Sequence, residues 1–284
     1  MQPETKTAID VHVHDPGPGD DLSAHVILAA PFVVAIIVYV AAAVGQRGWP
    51  WHRTAAWVAG VIAAYAAFGG PLASASHQSF TAHMAAHLLV GMVAPLLLVL
   101  AAPVTLALRT MSVVPARRLS RVLRSPLARA LVNPVVAALL NVGALWALYL
   151  TPLYALMRDV MLVHVLVMLH FLFAGCLYTV ALVPIDPSPH KAGFAFRAAV
   201  LVLSLAAHGA LAKLLYARPP PGIAATDAHI GAQLMYYGGD AVDLVLIVLL
   251  CAEWYRTSGR RLPAGTVSRP TGVSAPTISR GTSS

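Results

Sequence analysis

The sequence predicts an all-α, polytopic membrane protein with seven transmembrane helices, its N-terminus outside and its C-terminus in the cytoplasm. Three observations carry this expectation. The chain is 58% hydrophobic and only 11% charged, whereas a soluble domain carries about 25% charged residues. Its apolar residues fall into stretches of the length a bilayer demands, roughly 20 residues each. Its basic residues alternate from one inter-stretch segment to the next.

The windows run over about 25–45, 54–72, 79–108, 128–150, 159–183, 194–217 and 229–254. Each is far longer than a barrel strand and lacks a two-residue alternation, so helices are expected. The third exceeds one span and contains Pro95 and Pro103. A proline removes an intrahelical hydrogen bond, which predicts a kink or a broken inner end there. The domain reading is a flexible outer tail over 1–24, a seven-helix unit over 25–256 and a disordered, Ser/Thr/Pro/Gly-rich cytoplasmic tail over 257–284. The first segment is acidic and polar (Glu4, Asp10, Asp15, Asp20, Asp21) and lacks the basic start of a cleavable signal.

Fifteen of the nineteen Lys and Arg lie in alternate segments: Arg47 and Arg53, six arginines from Arg109 to Arg129, Lys191 and Arg197, and five from Arg256 onward. By the positive-inside rule those segments are cytoplasmic. The net charge of +8 is thus topological, with attraction to anionic lipid heads, and no nucleic-acid partner is expected. Cys176 and Cys251 fall on the cytoplasmic half, which reads as small apolar packing and not as an outer disulfide.

Seven of the twelve histidines fall in the outer half or just above it: His77, His83, His87, His164, His170, His208 and His229. Ionisable side chains inside hydrocarbon are costly, so each is a functional-site hypothesis by default. His83 and His87 stand i, i+4 on one helix face, as two ligands of one metal require. His83 lies near the outer interface and His87 roughly 10 Å in at 1.5 Å per residue. The bland alternative for any one of them is a single hydrogen bond to a neighbouring helix. Imidazole suits copper, zinc and iron, and thioether adds a preference for Cu(I). Met84 and Met168 sit within a turn of these histidines, though methionine is also ordinary membrane packing. The candidate metal set is therefore His83, His87, His164, His170, His208 and His229 with Met84 and Met168. His164 and His170 lie about 240° apart around their helix, so they share one pocket only if it is wide. Asp227, Asp240 and Asp243 on the seventh helix are expected to line the same polar interior, and pairing of one aspartate with a helix-end cation such as Arg109 is the alternative.

Order and motif bring these residues together. H-M-x-x-H-L-L at His83 to Leu89 and A-P-V-T-L-A-L-R at Ala102 to Arg109 come first. Leu145-Trp146, Thr151-Pro152-Leu153-Tyr154, H-F-L-F-A-G from His170 and Asp186-Pro187-Ser188-Pro189 follow. His208 and D-A-H-I-G-A-Q-L-M-Y-Y-G-G-D from Asp227 to Asp240 close the series. The series resembles the CtaG-type, polytopic cytochrome c oxidase assembly family over roughly residues 25–256. That family's seventh-helix motif resembles D-Q-Q-x-G-G, whereas here Ala228-His229 follow Asp227 and Ala232 follows Gly231. The resemblance implies a non-enzymatic assembly factor in the bacterial plasma membrane, with cytochrome c oxidase subunits as partners and copper handled for the oxidase metal centres; the imidazole and thioether donors point to Cu(I). Two other readings stand beside it: a copper or other cation transporter using Asp240 and Asp243 as a relay, and a haem- or quinone-linked oxidoreductase with histidine-ligated iron. No motif for phosphate binding, nucleophilic catalysis or H-E-x-x-H zinc hydrolysis occurs.

Overall fold

The computed structural model describes residues 18–186 and 191–259, with side chains from Ile27 onward. Most of both tails, including His12 and His14, and the residues Pro187 to Pro189 lie outside the described residues. Among the described residues there are helices and no strand. Six helices are long and apolar enough to cross a membrane, and a bent pair makes up to seven. The chain is a multi-pass membrane protein, with Ile27, Val33, Val34, Ile37 and Val38 of the first helix exposed as a lipid-facing band.

In chain order the helices are α1 (Pro18–Val44), α2 (Trp51–Phe68), α3 (Pro71–Ser76) and α4 (Phe80–Leu100). A surface arm follows: α5 (Pro103–Thr110), α6 (Val113–Leu123) and α7 (Pro126–Leu131). Then come α8 (Pro134–Leu150), α9 (Leu153–Asp159), α10 (Met161–Leu182), α11 (Phe194–Ala217) and α12 (Ala225–Gly259). The fourth apolar window is the bent element. α8 stops at Leu150, and α9 departs from it by 81° across Thr151-Pro152. The first window begins inside α1, which starts at Pro18, and the last helix runs past its window at both ends.

α4 is the hub. Half of it is buried, against 11% of the lipid-facing stretch of α1, and it packs against α2, α3, α10 and α12. The break expected near Pro103 is present: α4 ends at Leu100, Ala102 takes a left-handed conformation (φ 53°), and Pro103 opens α5 as an N-terminal proline. Tyr39 of α1 donates its hydroxyl to the carbonyl of Ala101 at 2.7 Å, serving an acceptor that the broken helix leaves free. Pro95 acts differently. It lies just after a π turn at Leu89–Val93, in which the N–H of Ala94 reaches back to the carbonyl of Leu89. A second π turn interrupts α8 at Leu139–Gly143. Such single wide turns inside α-helices occur frequently at functional sites.

Two aspartates fasten opposite ends of the bundle. Asp227 of α12 accepts from the backbone N–H of Phe80 (2.6 Å) and Thr81 (3.0 Å) and from the hydroxyls of Ser79 and Thr81. Asp186 accepts from Val104 N–H (3.2 Å) and Thr105 N–H (2.7 Å) at the start of α5. Each carboxylate sits at a helix N-terminus, where unsatisfied donors and the dipole favour negative charge. At the Asp186 end, Glu253 of α12 pairs with both Lys191 and the buried Arg197 (2.7 Å to Nη1).

Candidate functional site: a histidine and thioether cavity

Asp227 fixes the depth of α4, and therefore of His83 and His87, one and two turns below its capped end. His83 is 4% exposed and His87 7%. Their rings meet edge to face, with centroids 4.6 Å apart. His83 Nε2 lies 3.2 Å from the Tyr149 hydroxyl, and Tyr149 donates to Met84 Sδ at 3.6 Å. Tyr149 has one O–H for two neighbours. Donation to Met84 requires His83 to carry its proton on Nε2, which leaves Nδ1 with the free lone pair.

His87 is held by ring packing alone, against His83 and against Phe171 at 4.9 Å. Both of its ring nitrogens are buried without a hydrogen-bond partner, as is the Tyr178 hydroxyl. Buried polar atoms are normally satisfied, so such a group calls for an explanation such as an ion or a water. His87 and Tyr178 both line a cavity of about 40 Å³. At roughly 10–15 Å³ per water centre this holds two to four waters, or a small cation. Met84, Met92, Met235, Asn141, His208 and Asp243 complete its principal walls. The two π turns deliver Gly91 and Met92 from α4, and Asn141 and Val142 from α8, to this one space. His208 enters from α11 over Gly239 of α12, where a Cβ would stand 2.3 Å from the imidazole Cε1. Only glycine leaves room there for the ring.

The structure thus places His87, His208, Met84 and Asp243 on the walls of one cavity, sets His83 beside His87 but outside that lining, and leaves other candidates elsewhere. His164 is half-buried and packs against His77, ring centroids 5.2 Å apart. His170 is exposed and donates Nε2–H to the carbonyl of Leu140 at 2.8 Å, serving the π turn of α8. His229 stacks on Tyr216 at 4.3 Å. Met168 is a core residue packed with Phe171 and does not line the cavity. Asp240 is exposed on α12, and Asp227 is the helix cap already described. Arg109 lies over the Trp49 ring, not beside an aspartate. Among the described residues no three His, Cys, Asp or Glu side chains stand together as a metal cage. Sequence reasoning missed Asn141, Tyr149, Tyr178 and Ser204. Asn141 carries a signal that finds it: an amide in the middle of an apolar window.

A family model described as cytochrome c oxidase caa3 assembly factor matches residues 32–257, which is most of the chain. No curated protein and no solved structure matches.

Proposed function

Because the chain belongs to the cytochrome c oxidase caa3 assembly factor family, we propose that it serves that assembly by holding Cu(I) as cargo in the histidine and thioether cavity. The observation that carries this reading is His87, whose two ring nitrogens are buried and unpartnered, and which lines a cavity walled by Met84, Met235 and His208. Imidazole and thioether donors together suit a soft monovalent cation. The absence of a three-ligand His/Cys/Asp/Glu cage among the described residues argues against a structural zinc site. A cavity of about 40 Å³ is far too small for a haem macrocycle.

Holding is favoured over conduction by what lies beyond Asp243. Leu96, Leu182, Leu201, Leu246 and Leu250 form a buried apolar layer toward the Asp186 end, and a conduit would have to cross it. Purified protein titrated with Cu(I) under reducing conditions is expected to take up one equivalent, while sealed vesicles carrying it accumulate none. Sustained uptake into vesicles would replace this reading with transport. Failure to bind copper would remove the metal and leave the assembly role.

The proposed placement is a bacterial plasma membrane, with oxidase subunits as partners. α8 and α9 together make the fourth of seven spans, and the Asp227 end faces outward. The alternation of basic segments supports this orientation. Reporter fusions after Arg124 and after Gly259 should both read cytoplasm, and an external signal from either would invert or break the topology.

A further inference from the structure

The surface arm between α4 and α8 carries a feature that copper handling does not use. α6 and its C-cap residue place Arg117, Arg121 and Arg124 at i, i+4 and i+7, a row along one side about 10 Å long at 1.5 Å rise per residue. All three are exposed. They line a groove of about 870 Å³ together with Leu108, Met111 and Val113. Like charges at this spacing repel and destabilise the helix that bears them. Among the described residues no ion pair relieves them, and not one Asp or Glu occurs between Leu22 and Arg158. Both ion pairs found among the described residues belong to Glu253.

We propose that this groove is a binding site for an anionic phospholipid. Its phosphate is held by Arg117, Arg121 and Arg124, and its acyl chains run along Leu108, Met111 and Val113 toward the bilayer. The guanidinium fork matches phosphate oxygens two at a time, which a point charge does not do. The groove sits on a chain segment that leaves the spanning bundle at Leu100 and returns to it at Pro134, next to the spanning helices. A single lipid therefore reaches the arginines with its head and the apolar wall with its tails. The charge row and the apolar wall on one groove favour a lipid over an acidic protein segment, which would use the first and leave the second wet.

The test uses the full chain, delipidated in neutral detergent, with lipid binding followed by mass spectrometry and by thermal unfolding. Phosphatidylglycerol is expected to bind saturably and raise the unfolding temperature, and phosphatidylcholine to do neither. The triple variant R117Q/R121Q/R124Q should weaken phosphatidylglycerol binding on the order of a hundredfold, from about a fivefold contribution per arginine near an anionic surface. A charge-matched variant, R47Q/R218Q/R256Q, should retain it. Equal loss in both variants would reduce the effect to diffuse charge and overturn the proposal. Inorganic phosphate protecting as well as the lipid would overturn it in favour of a free-anion site. A polyglutamate peptide binding the groove in preference to the lipid would do so in favour of a protein partner. If the triple variant fails to fold, the wild-type comparison of the two lipids decides alone.

Discussion

His87→Leu is expected to make the metal-free protein more stable and to take away its copper. Two ring nitrogens of His87 are buried with no partner, and each such orphan costs about 1–3 kcal/mol of desolvation. Leucine fills a comparable volume, buries no polar atom and is the better helix former. Its neighbours are already rings: His83 at 4.6 Å and Phe171 at 4.9 Å. Water in the adjoining cavity offsets part of this, and a gain of about 1–3 kcal/mol in apoprotein stability follows. Bound copper should fall at least tenfold, a loss of about 1.4 kcal/mol or more in ion binding. The yield of active oxidase at limiting copper should fall with it. Thermal unfolding of the metal-free protein, copper-to-protein ratio and membrane oxidase activity read the three effects. Stability and function moving in opposite directions is the signature of a residue retained for its ligand. A variant that is less stable and still loaded with copper would show His87 to be a packing residue.

The spans were legible because hydropathy is a property of twenty residues at once, and no tertiary contact is needed to see it. The break at Ala102-Pro103 was legible for a related reason, since proline acts on its own helix. α9 was not. The 81° turn at Thr151-Pro152 divides one apolar window from the next through a short helix that composition alone does not set apart. Of the site, a common level for His87 and His208 along the bundle was legible and facing was not. A rise of 1.5 Å per residue puts several histidines at one level, but which of them meet depends on how the helices are rotated. His164 turned to His77, and His170 turned to the carbonyl of Leu140. The 240° between them around α10 allowed both to share one pocket only if it were wide. The π turns lay beyond the sequence. Pro95 announces a disturbance in α4, yet nothing in the residues says that it resolves as a wide turn aimed at the same space as the one carrying Asn141.

That coincidence makes Gly175→Ala the most damaging small substitution to expect. Pro95 has no N–H to give to the carbonyl four residues before it, that of Gly91. Gly175 of α10 lies against this carbonyl. A Cβ there would stand 2.4 Å from the Gly91 oxygen and 2.6 Å from Pro95 Cγ. Neither a backbone oxygen nor a proline ring can swing aside, so α4 and α10 must separate by most of an ångström. Overpacking of this kind costs about 1–3 kcal/mol, partly offset by up to about 1 kcal/mol of helix propensity. Leucine at the same position should prevent the pair from packing at all. The separation also loosens the site, because Gly91 and Met92 line the cavity on one side of this contact and Phe171 holds His87 on the other. Copper affinity should therefore fall with stability. Gly91→Ala is the control. A Cβ on Gly91 meets no atom within 4 Å, so that variant should keep the fold or gain about 0.5–1 kcal/mol from helix propensity. Thermal unfolding of the two variants side by side separates a close helix approach from a general intolerance of alanine, and equal destabilisation by both would remove the α4–α10 contact as the cause.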